Sequence, residues 1–418
     1  MTRRLAVVDA QMYWMSRAIP NDQFLVYGFG DGSADLEPAL RDVAERARAC
    51  PELRLRISDT DPLSYPEWRP CEVDADRFTV HELSDPTWQA CLDAVIALAG
   101  HQLDPRVMPW RVHVFPGAGG PPGARCSVVA VLQISHALGD GQRSSALAAL
   151  LFGRAAAVPP VPAPAHPAWA LPWRAFRAAR AHRALVRDTG AGLVPAQAVS
   201  RPALRSNAQP IGRRASRTVI RGRHRTSGAT VTVDVLAAVS EALAGHLGDL
   251  GEDAALLGAE VPMAKAGTRR ANNHFGNVGI GLHPELAVDR RRAAIEAELH
   301  RRRRRATHPA MRAESAAFAS VPAPLLRWGV RQFDATLRSD TVIGNTVVSS
   351  VDRGPKDLHF GGAAVVFTAG LPGLSPMMGL THGVHGIGDT VAISVHAAES
   401  AIGDIDAYVD RLDAALGR

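Results

Sequence analysis

Apolar positions along this chain recur with two different spacings, and the switches between them mark strands and helices. Ser127 to Ile134 is a short, β-branched, mostly apolar run that reads as a buried strand. Ser144 to Phe152, just downstream, is rich in Ala and Leu and reads as a helix. Gln23–Phe29 and Trp110–Phe115 are further strand patterns, and Asp35–Arg48 and Asp85–Leu98 are helical ones. The second half opens with a strand pattern at Ser216–Ile220. A helix follows at Thr232–Leu247, with Val235, Leu236, Val239, Leu243 and Leu247 on one side. Strands are predicted again at Val278–Leu282, Val342–Val351, Ala363–Phe367 and Thr390–Val395. Strands and helices are interspersed in both halves, which predicts an α/β protein of two similar lobes, without a visible sequence repeat.

Between the halves, Ala155 to Pro172 holds Pro159, Pro160, Pro162, Pro164, Pro167 and Pro172 among alanines. Such a stretch is excluded from a helix interior or a central strand and reads as a semi-rigid extended linker. The predicted division is an N-terminal lobe over 1–158, a linker or crossover over 159–215 and a C-terminal lobe over 216–418. Trp169, Trp173 and Phe176 follow the prolines and are expected to pin the crossover by aromatic burial. A basic helical segment continues to Arg187, and Ser200–Arg217 is polar and reads as loop.

Length and composition agree with two cores. The chain has 418 residues, 46% apolar and 21% charged, a globular balance that is neither disordered nor membranous. No uninterrupted apolar run approaches the ~20 residues of a spanning helix. Arg3 and Arg4 precede only a brief apolar patch before Asp9, which argues against a signal peptide and for a cytoplasmic protein. Cys50, Cys71, Cys91 and Cys126 are scattered, with no zinc or redox spacing, and are expected to be reduced thiols. A net charge of +6 permits anionic partners without calling for nucleic acid.

The chemistry concentrates at Ser135-His136-Ala137-Leu138-Gly139-Asp140-Gly141, where the central strand pattern gives way to a loop. His136 is a candidate general base. Asp140 would fix the loop by bonding backbone N–H groups or an arginine, and Gly141 would permit close backbone approach. A helix cap beside a buried structural histidine would leave the same trace.

This stretch resembles the HHxxxDG motif of condensation-type acyltransferases, which share the chloramphenicol-acetyltransferase-like fold. Further segments resemble the bacterial wax ester synthase/diacylglycerol acyltransferase family. These are Val8–Trp14, Leu103-Asp104-Pro105 with Met108-Pro109-Trp110, Thr230–Ala238, Asn272–Gly281 with Phe275-Gly276-Asn277-Val278, Val347–Pro355 and Gly379–Ala397. They run in order on both sides of the linker. The resemblance implies two lobes with an active-site tunnel between them. It also implies His136 as the base that deprotonates a hydroxyl acceptor attacking acyl-coenzyme A, with backbone N–H groups near it as oxyanion donors. No cofactor is implied, since coenzyme A arrives with the substrate. Four places depart from the family: Ser135 replaces the first motif histidine, Val233 precedes Asp234 where Asn is usual, Ser349-Ser350 replaces a Ser-Asn pair, and Gly386-Ile387 stands for a Ser-Tyr pair near the end. These departures suggest an acceptor other than a long alcohol or diacylglycerol.

Two other groupings invite chemistry. His382, His385 and Asp389 have metal-like spacing, but residues three apart on a strand diverge, and Gly388-Asp389 reads as a hairpin turn. His385 and His274 are instead candidates for lining the substrate tunnel, with Ser135. Arg301–Arg305 follow Arg290–Arg292 on one predicted helix. They read as a solvated helix end, or as a surface for an acidic carrier protein, the coenzyme A phosphates or lipid headgroups.

The sequence therefore predicts an acyl-coenzyme A-dependent O-acyltransferase, cytoplasmic or peripheral at a membrane or lipid droplet, with no metal and no nucleic acid. One alternative is a natural-product acyltransferase taking a carrier-bound or coenzyme A thioester to a metabolite hydroxyl or amine. The other is a non-catalytic binding module of the same fold.

Overall fold

The computed structural model describes residues 3–30, 35–156, 158–165, 167–223 and 230–418. Two six-stranded mixed sheets organise it. The first has the order β14 (His359–Phe360), β15 (Ala363–Leu371), β2 (Gln23–Phe29), β7 (Val128–Ile134), β6 (Trp110–Pro116), β5 (Phe78–Val80). The second runs β11 (Phe275–Gly281), β10 (Gly258–Ala264), β13 (Thr346–Asp352), β16 (Leu380–Ile387), β17 (Thr390–Ala398), β9 (Arg214–Gly222). Small sheets of β1 (Arg3–Arg4), β4 (Glu67–Pro70) and β3 (Leu55–Ser58), and of β12 (Thr341–Val342) and β8 (Arg201–Pro202), lie outside them.

The unbroken apolar run of β7 has a structural cause. Val128, Ala130, Leu132 and Ile134 enter one core with α1 (Val7–Met15), α2 (Leu36–Ala49) and α4 (Gly141–Leu151). Val129 and Val131 enter a second core on the opposite face, with Trp88, Leu92 and Val95 of α3 (Trp88–Ala99). A strand buried on both faces has no polar side to alternate with. The second sheet packs on α6 (Val231–Asp249), α7 (Val288–Ala306) and α10 (Ile405–Leu416) through Val235, Leu236, Ile295, Tyr408 and Leu412. Of the described helices, α6 alone is long and apolar enough to cross a membrane, yet it is a core helix here, with Leu236, Val239 and Leu243 fully buried.

Chain order does not decide which lobe a segment joins. The expectation of a C-terminal lobe over 216–418 breaks at β14 and β15, which belong to the first sheet. β15 pairs antiparallel with β2, Thr368 opposite Tyr27. A register shift between Val365 and Phe367 sends Val365 into one core and Phe367 into the other, so this strand serves both faces of a sheet built from the first half. Ala323 and Leu326 of α9 (Ala323–Arg331) also pack into the first-half core.

The crossover differs in part from its predicted form. The basic helical segment is present as predicted, as Leu171–Gly190 (α5), whose Arg174 donates from Nη1 to the Ser320 hydroxyl at 2.9 Å, just beyond α8 (Pro309–Phe318). Trp169, Trp173 and Phe176 do not pin it; they stand exposed. Arg214 to Arg217, expected as loop, begins β9, because pairing with β17 places Ser216 opposite His396.

Gly28 of β2 lies so close to β15 that a Cβ there would sit 2.0 Å from the Phe367 ring. Gly28→Ala is therefore expected to destabilise the protein by about 2 kcal/mol, in the range of overpacked cores, read as a lower urea midpoint at unchanged m-value.

Candidate active site

β7 ends at Ile134, and the chain turns through a loop into α4. The turn is closed by the Leu138 N–H on the Ser135 carbonyl at 2.9 Å, while the Ser135 side chain faces inward and is buried. Asp140 is the N-cap of α4, its carboxylate accepting the Arg143 N–H at 3.0 Å. The same carboxylate accepts from Arg269 at 2.8 and 3.1 Å and from the His274 N–H at 2.8 Å. Burial opposes its ionisation, but Arg269 and these two N–H groups hold its pKa below the usual carboxylate value. Asp140 thus ties the loop to the segment that leads into β11 of the other sheet. Gly141 approaches that sheet closely, since a Cβ there would lie 3.2 Å from Val351 of β13. Arg143 secures the other side, donating to the Leu138 carbonyl at 3.3 Å, the Pro159 carbonyl at 2.8 Å and Glu52 at 2.6 Å.

His136 is half-buried, its ring stacked on Phe275 at 5.5 Å and 27°. Its Nδ1 lies 2.8 Å from Oδ1 of Asn273. The orientation of that amide follows from its neighbours: Asn273 Nδ2 donates to Asp9 at 2.9 Å and to the His136 carbonyl at 2.8 Å. With Nδ2 facing two acceptors, Oδ1 must accept, so His136 carries its proton on Nδ1. Nε2 is left with a lone pair and has no protein partner among the described residues. Burial lowers the pKa of the ring, with the Asn273 bond and Asp140 opposing the shift, so the neutral form persists to lower pH than for an ordinary histidine.

Asp9, in α1, anchors this arrangement. Its carboxylate is buried and accepts the N–H groups of Asn272 and Asn273, both at 2.9 Å, besides the Asn273 side chain. Burial raises its pKa to about 6, against the pull of those donors. An imidazole held in one tautomer by a carboxylate-oriented amide is suited to take a proton at Nε2.

The other predicted residues lie elsewhere. His274 turns its ring to the Gly267 carbonyl at 3.2 Å and contributes its backbone N–H, not its imidazole, to the site. His385 is fully enclosed, packed against Gly370 on the inner face of β16. His382 points to the opposite face, bonded to Thr346 at 2.9 Å and Tyr408 at 2.8 Å, so the two histidines diverge as strand geometry requires. Gly388, at φ 56°, forms the two-residue β16–β17 hairpin with Asp389. The partners of the motif residues that spacing did not reveal are Asp9, Asn273, Arg269 and Phe275. Asp9 and Asn273 are 264 positions apart, and the only local signal is a polar Asn-Asn-His triplet placed before an apolar strand.

Comparison with known proteins bears on the fold that carries this geometry. Residues 273–418 match the family described as WS/DGAT C-terminal domain. The fold is similar to that of a wax ester synthase/diacylglycerol acyltransferase from Marinobacter aquaeolei VT8, with a TM-score of 0.63 at 20% identity over 99% of this chain and 98% of that one. It is also similar to the starter condensation domain of rhizomide synthetase. A complex of that domain with C8-CoA gives a TM-score of 0.58 at 14% identity over 100% and 95% of the two chains. A complex with C8-CoA and Leu-SNAC gives 0.57 at 15% over 100% and 93%. No curated protein matches significantly in sequence. The protein has the two-lobed α/β fold of these structures, and its C-terminal part matches the family that the motifs resemble.

Removing Asp140 would leave Arg269 without its carboxylate and α4 without its cap. Asp140→Ala is expected to cost about 3 kcal/mol in chemical denaturation. Asn273→Ala is expected to leave the melting temperature within a few degrees of wild type but lower kcat for acyl transfer by roughly ten- to a hundredfold.

Proposed function

We propose that this chain transfers an acyl group from acyl-coenzyme A to a hydroxyl acceptor, with His136 as the general base. The observation that carries the reading is the Nε2 lone pair of His136, left free by the Nδ1–Asn273–Asp9 chain. A thioester carbonyl is already electrophilic, so the protein needs mainly to orient the acceptor and remove its proton during attack. The acceptor O–H would give its proton to Nε2 as its oxygen bonds to the carbonyl carbon. The resulting imidazolium would be stabilised through Asn273 by the Asp9 carboxylate. Collapse of the tetrahedral intermediate breaks the C–S bond, and the imidazolium returns the proton to the departing coenzyme A thiolate. Asn273 moves no proton; it fixes the ring. The first N–H groups of α4, at Gly141 and Gln142, are the candidate oxyanion donors, since a helix N-terminus leaves such groups without internal acceptors.

A second reading keeps this chemistry and changes the substrates. Ser135, Val233 and Ser350 replace residues usual in the lipid family, and the Thr232 hydroxyl meets Ser350 at 2.9 Å where α6 faces β13. These substitutions favour an acceptor from specialised metabolism, delivered against either coenzyme A or a carrier-bound thioester.

Mass spectrometry of products formed from mixed acyl-coenzyme A donors and a panel of alcohols, amines and diacylglycerol tests both. Transfer from free acyl-coenzyme A to a simple alcohol or diacylglycerol supports the first reading. Activity restricted to a loaded carrier supports the second. A folded His136→Ala variant is expected to lose roughly 10²–10⁴-fold in rate; full retention would contradict the proposal. Because burial depresses the His136 pKa, kcat/KM should hold through pH 6.5 and fall only as pH drops below that ordinary histidine value.

A further inference from the structure

We propose that the outward face of α5 docks this protein on an anionic lipid bilayer. The inference stands apart from the acyl-transfer reading. Along α5, Leu171, Arg174, Ala178, Ala181 and Leu185 recur at helical spacing and turn towards the protein, with Arg174 bonded to Ala316 and Ser320. The opposite arc carries Trp173 and Phe176, 62% and 53% exposed, stacked on each other at 5.9 Å. Trp169, one turn earlier, is 87% exposed. A stacked, exposed tryptophan–phenylalanine pair with another exposed tryptophan one turn earlier in the chain is unfavourable in water unless something covers it.

The same arc continues into Arg177, Arg180, Arg183 and Arg187, at spacings of three and four. The first three of these have no carboxylate partner among the described residues. The positive surface does not end with the helix. Arg305 of α7 donates to the Thr189 hydroxyl at 3.1 Å and the Pro195 carbonyl at 2.9 Å, which seats the end of α7 beside the end of α5. Arg302 likewise turns inward, to the Ala196 carbonyl at 2.7 Å, and leaves Arg301, Arg303 and Arg304 facing solvent.

The occupant follows from this chemistry. Exposed tryptophan and phenylalanine favour the headgroup boundary of a bilayer, where an apolar ring enters and arginines reach phosphate. A protein partner would meet both charge signs; here one sign borders the aromatic side chains, which complements an anionic lipid surface. The arginine run, read from the sequence as a solvated helix end or as a surface for an acidic carrier, coenzyme A phosphates or lipid headgroups, is one flank of this face, and the exposed aromatic residues are its centre.

The test is co-sedimentation of the full-length protein with vesicles of phosphatidylglycerol and phosphatidylcholine in equal parts, at physiological ionic strength. Wild type is expected to sediment with these and not with phosphatidylcholine alone. Trp173→Ala/Phe176→Ala and Arg177→Glu/Arg180→Glu are each expected to weaken binding at least about tenfold. Their melting temperatures should be unchanged, since all four side chains face outward. Failure to sediment with the anionic vesicles, or equal binding by both variants, would overturn the proposal. So would a dimer in light scattering that the aromatic double variant dissolves, because the face would then belong to a second copy of this chain.

Discussion

The Asn273 amide is the contact on which the site depends. It joins three stretches of chain that have no reason to be neighbours in sequence: Asp9 in the first helix, His136 at the end of the central strand of the first sheet, and the approach to β11 in the second. Its geometry leaves no freedom, because each amide atom has a partner of the opposite hydrogen-bonding type. The arrangement also has a thermodynamic cost. A buried carboxylate whose pKa is raised to about 6 makes the folded protein less stable as pH rises from the unfolded value near 3.8 to that point. Keeping Asp9 ionised at neutral pH therefore works against the stability of the fold. A packing role alone would be served better by a neutral side chain. The charge orients Asn273 and, in the proposed mechanism, would through it favour an imidazolium at His136.

Around this contact, the motif loop divides its work among its residues. Asp140 is spent on structure: one carboxylate caps α4, pairs with Arg269 and holds the His274 backbone. Arg143 clamps the same loop to Glu52 and to the start of the crossover at Pro159. Gln23 adds a bond to the Gly139 carbonyl at 2.6 Å. The histidine is thus carried on a loop fixed from both lobes and from the linker. Under the proposed mechanism, such preorganisation would let one imidazole suffice against an already activated carbonyl.

How much of this the sequence disclosed depended on the range of the interaction. The strand before His136 and the helix after it were legible because their apolar runs are local and unbroken. The divergence of His382 and His385 followed from strand geometry alone. The ordered likeness of several motifs carried the fold. Asn273 was beyond reach as a site residue, because an asparagine has no titration signature and its partners lie on distant segments. The place of β15 was equally hidden: its apolar pattern predicts a strand but not which sheet receives it. The aromatic residues after the prolines misled for a related reason. Hydrophobicity predicts that a side chain will be covered, not that this chain supplies the cover.

The account turns on which nitrogen of His136 holds the proton, and the most direct measurement is the imidazole ¹⁵N spectrum of histidine-labelled protein, with His136 assigned by its absence from His136→Ala. The structure predicts a neutral ring protonated at Nδ1 at neutral pH, titrating below the ordinary histidine value, with the tautomer preference lost in Asn273→Ala. A ring protonated at Nε2, or one that titrates above the ordinary value, would contradict it.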